Sequence, residues 1–409
     1  MNRSDPHVLI LGAGHAGGTA AALLRQYGFE GSITLVGEEP IAPYHRPPLS
    51  KAWLRDGPGA VSLPLKPAEF YAGHGIDFRP GVRAEKLARR AKAVTLSTGE
   101  VLTYDCLIIA TGARPIKLPV AGSDLAGVLE LRTVADAERL RAVIRSGQRL
   151  GVIGGGYIGL EVAASARALG AEVVVIERET RLLARVARPE LSAFFLDYHR
   201  KRGVSFELGA TVSGFEGRDG RVSGVNLDDG RTIACAAALI GVGATPNDEI
   251  ARDAGLDTAR GVIVDLEART ADPAIFAIGD VTRRPMPIYD RMFRMESVPN
   301  ALEQAKQAAC AIVGRPPPPG EAPWQWSDQY DLKLQIAGHA FDVDRVFLRG
   351  DPAIARFAVF HLKGDQVQCV EAINSPQDFI IGKQLIASRK TVDIGKLGDP
   401  TVDLKEIAA

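Results

Sequence analysis

The feature that most constrains this chain is a glycine pattern that occurs twice. Residues 8–17 read VLILGAGHAG and residues 150–159 read LGVIGGGYIG, so each time a short apolar run leads into GxGxxG. The first glycine permits a tight turn, the second lets the backbone approach a pyrophosphate, and the third lets a helix pack on the preceding strand. Free N–H groups at the helix start can bind the phosphates. One copy alone is a weak indication, but two complete copies predict two dinucleotide sites.

Each copy is followed by an acidic residue at the end of the next apolar run. Glu38 follows residues 33–36 and Glu177 follows residues 173–176, so each lies roughly 25 residues after the first glycine of its loop. A carboxylate there can bind ribose hydroxyls, although Glu38 could also be a solvated acid at a strand end. Glu177 would repel a 2′-phosphate and favour NADH, whereas the adjacent Arg178 could accommodate that phosphate and leaves NADPH open.

Composition narrows the class of protein. The chain has 409 residues, of which 46% are hydrophobic and 24% charged, as expected of two or three globular α/β domains. Lys plus Arg and Asp plus Glu both number 49, so no overall charge favours nucleic acid or an anionic membrane. No apolar run approaches the ~18 residues of a membrane helix, and the first residues lack a secretion pattern. We expect a cytoplasmic protein that binds neither nucleic acid nor membrane.

Four cysteines are scattered along the chain, at Cys106, Cys235, Cys310 and Cys369. Their spacing contains no CxxC and no other metal-ligand pattern. We therefore expect small buried side chains in a reducing compartment and no bound metal.

A second repeat indicates how the domains are organised. Residues 108–115 (IIATGARP) resemble residues 239–246 (LIGVGATP), which suggests that the chain leaves a first domain and re-enters it at matched strands. Residues 314–323 (GRPPPPGEAP) predict a stiff linker, and the β-type alternation beyond it predicts a small α+β domain. The expected fold is α/β, with two Rossmann-like domains and a C-terminal α+β domain. The expected boundaries are 1–114 and 247–322 for the first domain, 115–246 for the second and 323–409 for the third.

A proline-rich loop at residues 44–51 (YHRPPLSK) carries two cations, Arg46 and Lys51. We expect Pro47 and Pro48 to exclude helix there. Such a loop could hold the cations over an anionic cofactor or could be a plain surface turn.

Two dinucleotide sites in one chain predict hydride transfer between a nicotinamide and a flavin. At this level the sequence resembles the putidaredoxin reductase-like, FAD-dependent NADH:ferredoxin reductases of the glutathione-reductase superfamily, over essentially its whole length. The blocks that carry the resemblance are PPLSK (47–51), LIIATGARP (107–115), GGGYIGLE (154–161), AIGD (277–280), ESVPNALEQA (296–305) and WSDQY (326–330).

The resemblance implies that the first loop holds FAD and the second holds NADH. In the family pattern Glu38 would bind the adenosine ribose, Ala84 the adenine, Asp280 the ribityl chain and Val298 the flavin pyrimidine edge. The implied FAD residues are Gly12, Gly14, Ala16, Gly17, Glu38, Arg46, Lys51, Ala84, Ala110, Thr111, Gly112, Arg132, Asp280, Val298 and Trp326. The implied NAD residues are Gly154, Gly156, Tyr157, Gly159, Glu161, Glu177, Arg185 and Gly243.

Lys51 and Glu161 are the catalytic pair that the resemblance implies. In the family a lysine and a glutamate lie together beside flavin N5, where an ammonium stabilises developing negative charge and the carboxylate fixes the lysine and helps to orient the nicotinamide. On sequence alone, Glu161 could instead be an ordinary helix-surface acid, and Tyr157 and Trp326 could be packing residues.

No cysteine precedes Cys106, although disulfide reductases of this superfamily need a cysteine pair, and its NADH peroxidases a single cysteine, soon after the first βαβ unit. Electrons must therefore leave for an outside acceptor, and an acidic [2Fe-2S] ferredoxin serving a cytochrome P450 or Rieske-type oxygenase is the leading candidate. A monodehydroascorbate- or quinone-type reductase and an interaction module like apoptosis-inducing factor remain alternatives. The expected docking residues, which could also be a solvated loop, are Arg283, Arg284, Arg291 and Arg294.

Overall fold

A computed structural model describes residues 5–67, 69–317, 319–399 and 401–407. The chain forms two compact units, each built from three separate segments. The first unit comprises Met1–His45, Leu63–Arg114 and Thr245–Gln325. The second unit comprises Arg46–Ser62, Pro115–Ala244 and Trp326–Ala409. Two short strands, Ala113–Pro115 and Ala244–Pro246, each contain a boundary between the units.

The first unit is organised around a five-stranded parallel sheet. Its central strand, His7–Leu11, is buried at all five positions, as expected of a parallel strand that is covered on both faces. The strand order is Ile275–Ala277, Cys106–Ile109, His7–Leu11, Ser32–Gly37 and Ile76–Pro80. Helices His15–Gln26 and Val298–Ile312 contribute small buried side chains to the same core, among them Ala20, Ala21, Ala301 and Ala305.

The other elements of the first unit are short. Its further helices are Phe70–Gly73 and Glu249–Asp253, with 3₁₀ turns at Arg89–Ala91, Gly279–Val281 and Pro287–Tyr289. Its two three-stranded sheets contain the strands Ala84–Ala88, Ala93–Leu96 and Val101–Thr103, and the strands Val262–Ile263, Thr282–Met286 and Arg291–Phe293.

The second unit repeats the same plan. Its parallel sheet has the order Val204–Leu208, Glu172–Glu177, Arg149–Ile153, Ala237–Ile240 and Val128–Leu129. One hydrophobic cluster joins this sheet to Leu160 and Phe195 on two helices. Another joins it to Phe215 and Val225 of an antiparallel sheet, whose strands are Val212–Arg218, Arg221–Leu227 and Thr232–Ala234. The sheet is therefore covered on both faces, and a Rossmann-like core results.

The rest of the second unit includes a C-terminal sheet. Its strand order is Trp324–Gln329, Leu332–Gly338, Gln366–Ile373, Arg356–Lys363 and Arg345–Asp351, and the first of these strands begins two residues before the unit boundary at Trp326. The helices of the unit are Ala52–Asp56, Val134–Val143, Tyr157–Ala168, Pro189–Arg200, Pro376–Ser388 and Ile394–Leu397, with 3₁₀ turns at Pro47–Ser50, Pro352–Ile354 and Leu404–Glu406. The expected α/β class, with two Rossmann-like sheets and a C-terminal α+β part, is confirmed.

The proline-rich loop differs from the sequence expectation. Pro47 and Pro48 do not exclude helix, because residues Pro47–Ser50 form a 3₁₀ turn with proline at its first positions. The first N–H groups of a helix have no partner within it, so a proline there removes nothing, and its fixed φ suits the turn. The next helix, Ala52–Asp56, begins directly after Lys51. The lysine is thus held between two helical segments rather than on an open loop.

Within the described ranges, no helix is both long enough and apolar enough to cross a membrane. The same ranges contain no group of three or more His, Cys, Asp or Glu side chains arranged to hold a metal ion.

Candidate functional site

The first glycine loop forms a cradle at the start of helix His15–Gln26. Gly12 has a φ of 111°, and a Cβ atom there would lie 2.2 Å from the carbonyl oxygen of Ala110. At Gly17 a Cβ would lie 1.9 Å from the oxygen of Gly12. At Gly14, by contrast, a Cβ would meet no atom within 4 Å. Two glycines are therefore required by the protein itself, whereas the third faces open space at a helix N-terminus, which suits a pyrophosphate.

The second loop has the same shape. Gly154 has a φ of 106°, and its Cβ would lie 2.5 Å from the oxygen of Gly241. A Cβ at Gly159 would lie 2.1 Å from the oxygen of Gly154, while one at Gly156 would meet nothing within 4 Å. Helix Tyr157–Ala168 starts here without an acidic residue in its first turn. This cradle also fits a dinucleotide phosphate group.

The two acids lie in different surroundings. The Glu177 carboxylate accepts hydrogen bonds from the Gly155 N–H at 2.6 Å and the Glu179 N–H at 2.9 Å. Glu38 is exposed, whereas its neighbour Glu39 accepts a hydrogen bond from the Tyr44 hydroxyl at 2.6 Å. Of the two consecutive acids in the first unit, Glu38 is thus the one that offers its carboxylate to solvent.

Lys51 and Glu161 form an ion pair within the second unit. The Lys51 Nζ lies 2.7 Å from Oε2 of Glu161, and the two side chains are 16% and 2% exposed. The lysine also donates to the carbonyl oxygen of Pro47 at 3.2 Å. Glu161 lies on helix Tyr157–Ala168, which begins at the second glycine loop. The structure therefore brings together the two residues expected to form the catalytic pair.

Two serines complete the surroundings of the Glu161 carboxylate, and sequence reasoning did not single them out. Ser50 donates to Oε2 at 2.5 Å and Ser327 donates to Oε1 at 2.6 Å. Both serines lie inside blocks that carry the family resemblance, Ser50 in PPLSK and Ser327 in WSDQY. Ser327 is buried whereas Trp326 and Asp328 on either side are less so, a period-two pattern that could have indicated an inward-facing serine.

The other expected FAD residues are distributed over both units. In the second unit, Arg46 donates to the backbone oxygen of Arg132 at 2.7 Å. Ala16 is buried in the first turn of helix His15–Gln26, and Ala84 begins the strand Ala84–Ala88. Ala110, Thr111 and Gly112 follow the strand Cys106–Ile109. Trp326 is partly buried in the strand Trp324–Gln329.

Asp280 and Val298 lie at two turns of the first unit. Asp280 is in the 3₁₀ turn Gly279–Val281, which the Gln304 side chain fixes by accepting from the Gly279 N–H at 2.8 Å. Val298 is the first residue of helix Val298–Ile312, and the capping Ser297 hydroxyl accepts from the N–H of Asn300. A 15-residue helix thus begins at Val298, where its first N–H groups can face a negatively charged ring edge.

The remaining NAD residues surround the second loop. Tyr157 is the first residue of helix Tyr157–Ala168 and packs against the hydrophobic cluster of the second unit. The Arg185 guanidinium donates to the oxygen of Val242 at 3.3 Å, and a Cβ at Gly243 would lie 3.2 Å from that guanidinium. Arg178 is exposed and pairs with Glu179 at 3.2 Å.

The expected docking arginines do not form one exposed cluster. Arg284 is 8% exposed and pairs with Glu303 at 3.0 Å, so its charge is already balanced inside the first unit. Arg294 pairs with Glu296 and is 15% exposed. Arg284 is thus a buried, paired guanidinium rather than an exposed docking cation, which corrects the expectation for that residue. Arg294 is partly buried and its partner Glu296 is exposed, so its docking role stays a prediction. Arg283 is partly buried and Arg291 is exposed.

Three of the four cysteines are poorly suited to redox chemistry. All four are free thiols. Burial raises the pKa of Cys106 to about 12 and that of Cys235 to about 11, and it raises the pKa of Cys369 well above its ordinary value. Since the thiolate is the reactive form, these three side chains stay unreactive near neutral pH.

Comparison with known proteins agrees with this geometry. Residues 6–305 match the pyridine nucleotide-disulphide oxidoreductase family, and residues 324–408 match the reductase C-terminal family. A probable ferredoxin reductase of Castellaniella defragrans is 50% identical over 409 residues, covering 100% of both chains. Putidaredoxin reductase of Pseudomonas putida is 42% identical and covers 100% of this chain and 98% of its own.

A solved structure extends the likeness to three dimensions. The covalent putidaredoxin reductase–putidaredoxin complex contains a chain that aligns with a TM-score of 0.96 at 42% identity, over 99% of this chain and 98% of that one. The two glycine cradles, the Lys51–Glu161 pair and the C-terminal sheet occur in a chain that matches these relatives from end to end. This chain therefore belongs to the FAD-dependent pyridine nucleotide-disulphide oxidoreductases, in their ferredoxin reductase branch.

Proposed function

We propose that this protein oxidises NADH and passes the electrons through FAD to an acidic [2Fe-2S] ferredoxin, which serves a cytochrome P450 or a Rieske-type oxygenase. The observation that carries the proposal is the buried Lys51–Glu161 ion pair on the helix that starts at the second glycine loop. A positive charge held there would lie near a nicotinamide nucleotide bound at that loop, which supports the proposal. The names of the relatives support a ferredoxin as the acceptor.

The residues of the two loops fit their nucleotides. Gly14 and Gly156 leave open space at helix N-termini, and each helix has no acidic residue in its first turn. In the first unit, Glu38 would bind the ribose of FAD, and Asp280 and the first N–H groups of the helix at Val298 would bind the ribityl chain and the ring edge. The chemistry that FAD supplies when bound is acceptance of a hydride and release of the two electrons one at a time.

The roles of Lys51 and Glu161 follow from their contacts. The ammonium supplies positive charge where negative charge develops during hydride transfer, and its low exposure reduces screening by water. Glu161 holds that ammonium at 2.7 Å, so the charge is in position before the reaction begins. Neither residue would need to give up a proton, because hydride transfer from NADH to FAD requires no acid or base from the chain.

The acceptor is proposed from the cysteines as well as from the relatives. Three of the four thiols have pKa values raised by burial, and none of the four precedes residue 106. Electrons must then leave the protein, and a ferredoxin takes them singly. Arg291, which is exposed, remains a candidate contact for an acidic partner.

NADH is the proposed donor because of Glu177. Its carboxylate is held by the N–H groups of Gly155 and Glu179, so it has a fixed orientation from which to bind a 2′-hydroxyl and repel a 2′-phosphate. The Arg178 guanidinium, which could otherwise accommodate a 2′-phosphate, forms an ion pair with Glu179 at 3.2 Å. We also propose a cytoplasmic location, which four unpaired cysteines support.

The test compares two electron acceptors with the purified, FAD-loaded protein. We expect rapid NADH oxidation with ferricyanide and, separately, bleaching of an acidic [2Fe-2S] ferredoxin under anaerobic conditions. Lys51→Ala and Glu161→Ala should each slow reduction of the bound FAD by about 100-fold in stopped flow, because a charge-assisted contact is lost. Bound FAD should remain at one per chain.

Lys201→Ala is the matched control, because it removes an ion pair of the same 2.7 Å length that is exposed to solvent. Its rates should equal those of the unaltered protein. Ferricyanide turnover without ferredoxin reduction would refute the partner. Preference for quinones or for an organic radical would favour a reductase of small molecules, and NADH binding with almost no turnover would favour an interaction module.

A further inference from the structure

A chain of buried hydrogen bonds leads away from Glu161 on the side opposite Lys51. Ser327 donates to Oε1 of Glu161 at 2.6 Å, and the Gln329 amide nitrogen lies 3.1 Å from the Ser327 hydroxyl. The amide oxygen of Gln329 in turn lies 2.8 Å from Nε2 of His199. Ser327, Gln329 and His199 are all buried. Three polar side chains thus occupy a region where an unsatisfied group would be costly.

The chemistry of these groups fixes the direction of every bond. A carboxylate only accepts, so the Ser327 hydroxyl must donate to Glu161 and its lone pair is left to accept from the Gln329 amide. The amide oxygen then accepts from His199, which must carry its proton on Nε2. Burial lowers the pKa of His199 to about 4, in keeping with a neutral ring. All three donors therefore point toward Glu161.

Regular secondary structure holds the chain of donors in place. Ser327 and Gln329 are two residues apart on the strand Trp324–Gln329 and share its buried side. His199 lies in the last turn of helix Pro189–Arg200, and the Tyr330 ring packs edge-on against it at 5.0 Å between centroids. Groups on strands and helices keep their geometry better than groups on loops.

We infer that Ser327, Gln329 and His199 are positioning residues that fix the orientation of the Glu161 carboxylate, and through it the ammonium of Lys51. The inference rests on the proposed role of Lys51 and Glu161 in hydride transfer. Ser327 holds Oε1, which leaves Oε2 turned toward Ser50 and Lys51 at 2.5 and 2.7 Å. Without the Ser327 hydroxyl the carboxylate can rotate and share both oxygens with Lys51.

The same chain does not serve as a proton path. A primary amide at Gln329 stands between Ser327 and His199, and an amide cannot pass a proton along without changing to an unfavourable tautomer. Because burial lowers the pKa of His199 to about 4, the ring lacks the second, acidic proton near neutral pH, and its single N–H is used in the bond to Gln329. The chain transmits orientation only.

The test is Ser327→Ala in the FAD-loaded protein, with Ser192→Ala as the matched control. Ser192 is another buried serine of the second unit, and its hydroxyl donates to the oxygen of Leu182 and accepts from Arg181. We expect Ser327→Ala to slow reduction of FAD by NADH about tenfold with the NADH dissociation constant changed less than about twofold. Ser192→Ala should lower thermal stability similarly and leave the rate unchanged.

A second readout does not depend on activity. The infrared difference spectrum between a protein and its Glu161→Gln counterpart isolates the carboxylate stretches of Glu161. We expect Ser327→Ala to change the separation of the symmetric and antisymmetric bands, because one oxygen loses its donor, and Ser192→Ala to leave it unchanged. Ser327→Cys, whose thiol is a weaker donor, should lie between serine and alanine in both readouts.

A double variant separates this inference from the proposed function. In a Glu161→Gln background, Ser327→Ala should have almost no further effect on the rate, because it acts only through the carboxylate. Gln329→Met removes the amide that donates to Ser327 and should give a smaller infrared change of the same kind. If Ser327→Ala does not fold, Gln329→Met is measured in its place. If the carboxylate bands of Glu161 are unchanged in Ser327→Ala, or in Gln329→Met when that variant is used instead, the inference is overturned. Altered bands with no rate change in Glu161→Gln itself would instead refute the proposed role of Glu161.

Discussion

The two glycine loops share a backbone shape but differ in the side chains around the strand that follows. In both, the N–H of the first glycine donates to the carbonyl oxygen near the end of that strand, from Gly12 to Val36 and from Gly154 to Ile176, at 2.8 Å each time. This bond defines which residues correspond. It pairs Gly37, not Glu38, with Glu177, so the two acids that sequence spacing treats as equivalent stand one position apart.

In each copy one loop residue touches one residue at the end of the following strand. The glycine of this pair is on the strand in the first copy and on the loop in the second. In the first copy the loop residue is Ala13 and the strand residue is Gly37, where a Cβ would lie 2.5 Å from the Ala13 Cβ. In the second copy the loop residue is Gly155 and the strand residue is Glu177, whose Oε2 would lie 3.2 Å from a Cβ on that glycine. In the first pair the contact leaves room for only one side chain. In the second pair a Cβ on Gly155 would meet Leu182 Cδ2 at 2.6 Å and would lie at an ordinary 3.5 Å from the Glu177 Cβ. The acid of the second copy stands on the strand and bonds to the loop N–H.

The largest expected effect tests whether the shared backbone is equally demanding. Gly17→Ala places a Cβ 1.9 Å from the oxygen of Gly12, and Gly159→Ala places one 2.1 Å from the oxygen of Gly154. Backbone atoms cannot move aside cheaply, so each variant should lose about 3 kcal/mol or more of unfolding free energy. Denaturant unfolding followed by circular dichroism measures this. Stability within error of the parent protein would show that the loops can relax.

A substitution that leaves stability almost unchanged should show which loop binds which nucleotide. Gly14→Ala and Gly156→Ala meet no atom within 4 Å and keep φ at −83°, so unfolding should change by less than about 0.5 kcal/mol. The methyl group would instead occupy the space proposed for phosphate, which should weaken binding by about 2 kcal/mol. Gly14→Ala should weaken FAD binding and, once the protein is reloaded with FAD, leave the affinity for NADH unchanged. Gly156→Ala should weaken NADH binding and leave FAD bound. Fluorescence titration distinguishes them, and a crossed result would reverse the assignment of the loops.

The size exchange within a pair gives a smaller effect. Gly37→Ala should destabilise the protein by about 1.5 kcal/mol because of its contact with Ala13. Adding Ala13→Gly removes the clashing methyl, since the Ala13 Cα would lie at 3.7 Å, and should recover about 1 kcal/mol beyond additivity. Thermal unfolding of all four proteins completes the cycle. Strict additivity would mean that the two residues do not compete for space.

The smallest expected effect concerns the acids. Glu177→Gln keeps an oxygen for the Gly155 N–H but loses the charge, so the preference for NADH over NADPH should fall about fivefold. Glu38→Gln is the control, because that side chain belongs to the first unit and should leave the preference unchanged. The ratio of kcat/KM for the two donors is the measurement. Equal effects of the two substitutions would argue against a specific role for Glu177.

Sequence reasoning succeeds where local pattern sets structure. The two glycine loops, the parallel strands and the α/β class follow from spacing and apolar runs, and the structure confirms that class. The Lys51–Glu161 pair was expected from a family resemblance, and the two side chains meet. The roles of these residues stay predictions until the variants are measured.

Sequence reasoning fails where distant residues decide the outcome. The Ser327 hydroxyl meets Glu161 across 166 positions, and no local pattern contains that contact. Arg284 resembles an exposed docking cation until Glu303, on a separate element, is found to pair with it. Pro47 and Pro48 were expected to prevent helix, but a turn that starts at proline accepts it.

The order of strands in the first sheet constrains how the protein can form on the ribosome. The strand Ile275–Ala277 pairs with Cys106–Ile109, yet it is synthesised only after the long segment Pro115–Ala244 that belongs to the other unit. Until then Cys106–Ile109 is an unpaired, apolar sheet edge, which is a site for mispairing or aggregation. The late strand closes that edge, so truncation before residue 275 should yield insoluble chains even though the whole first glycine loop is present.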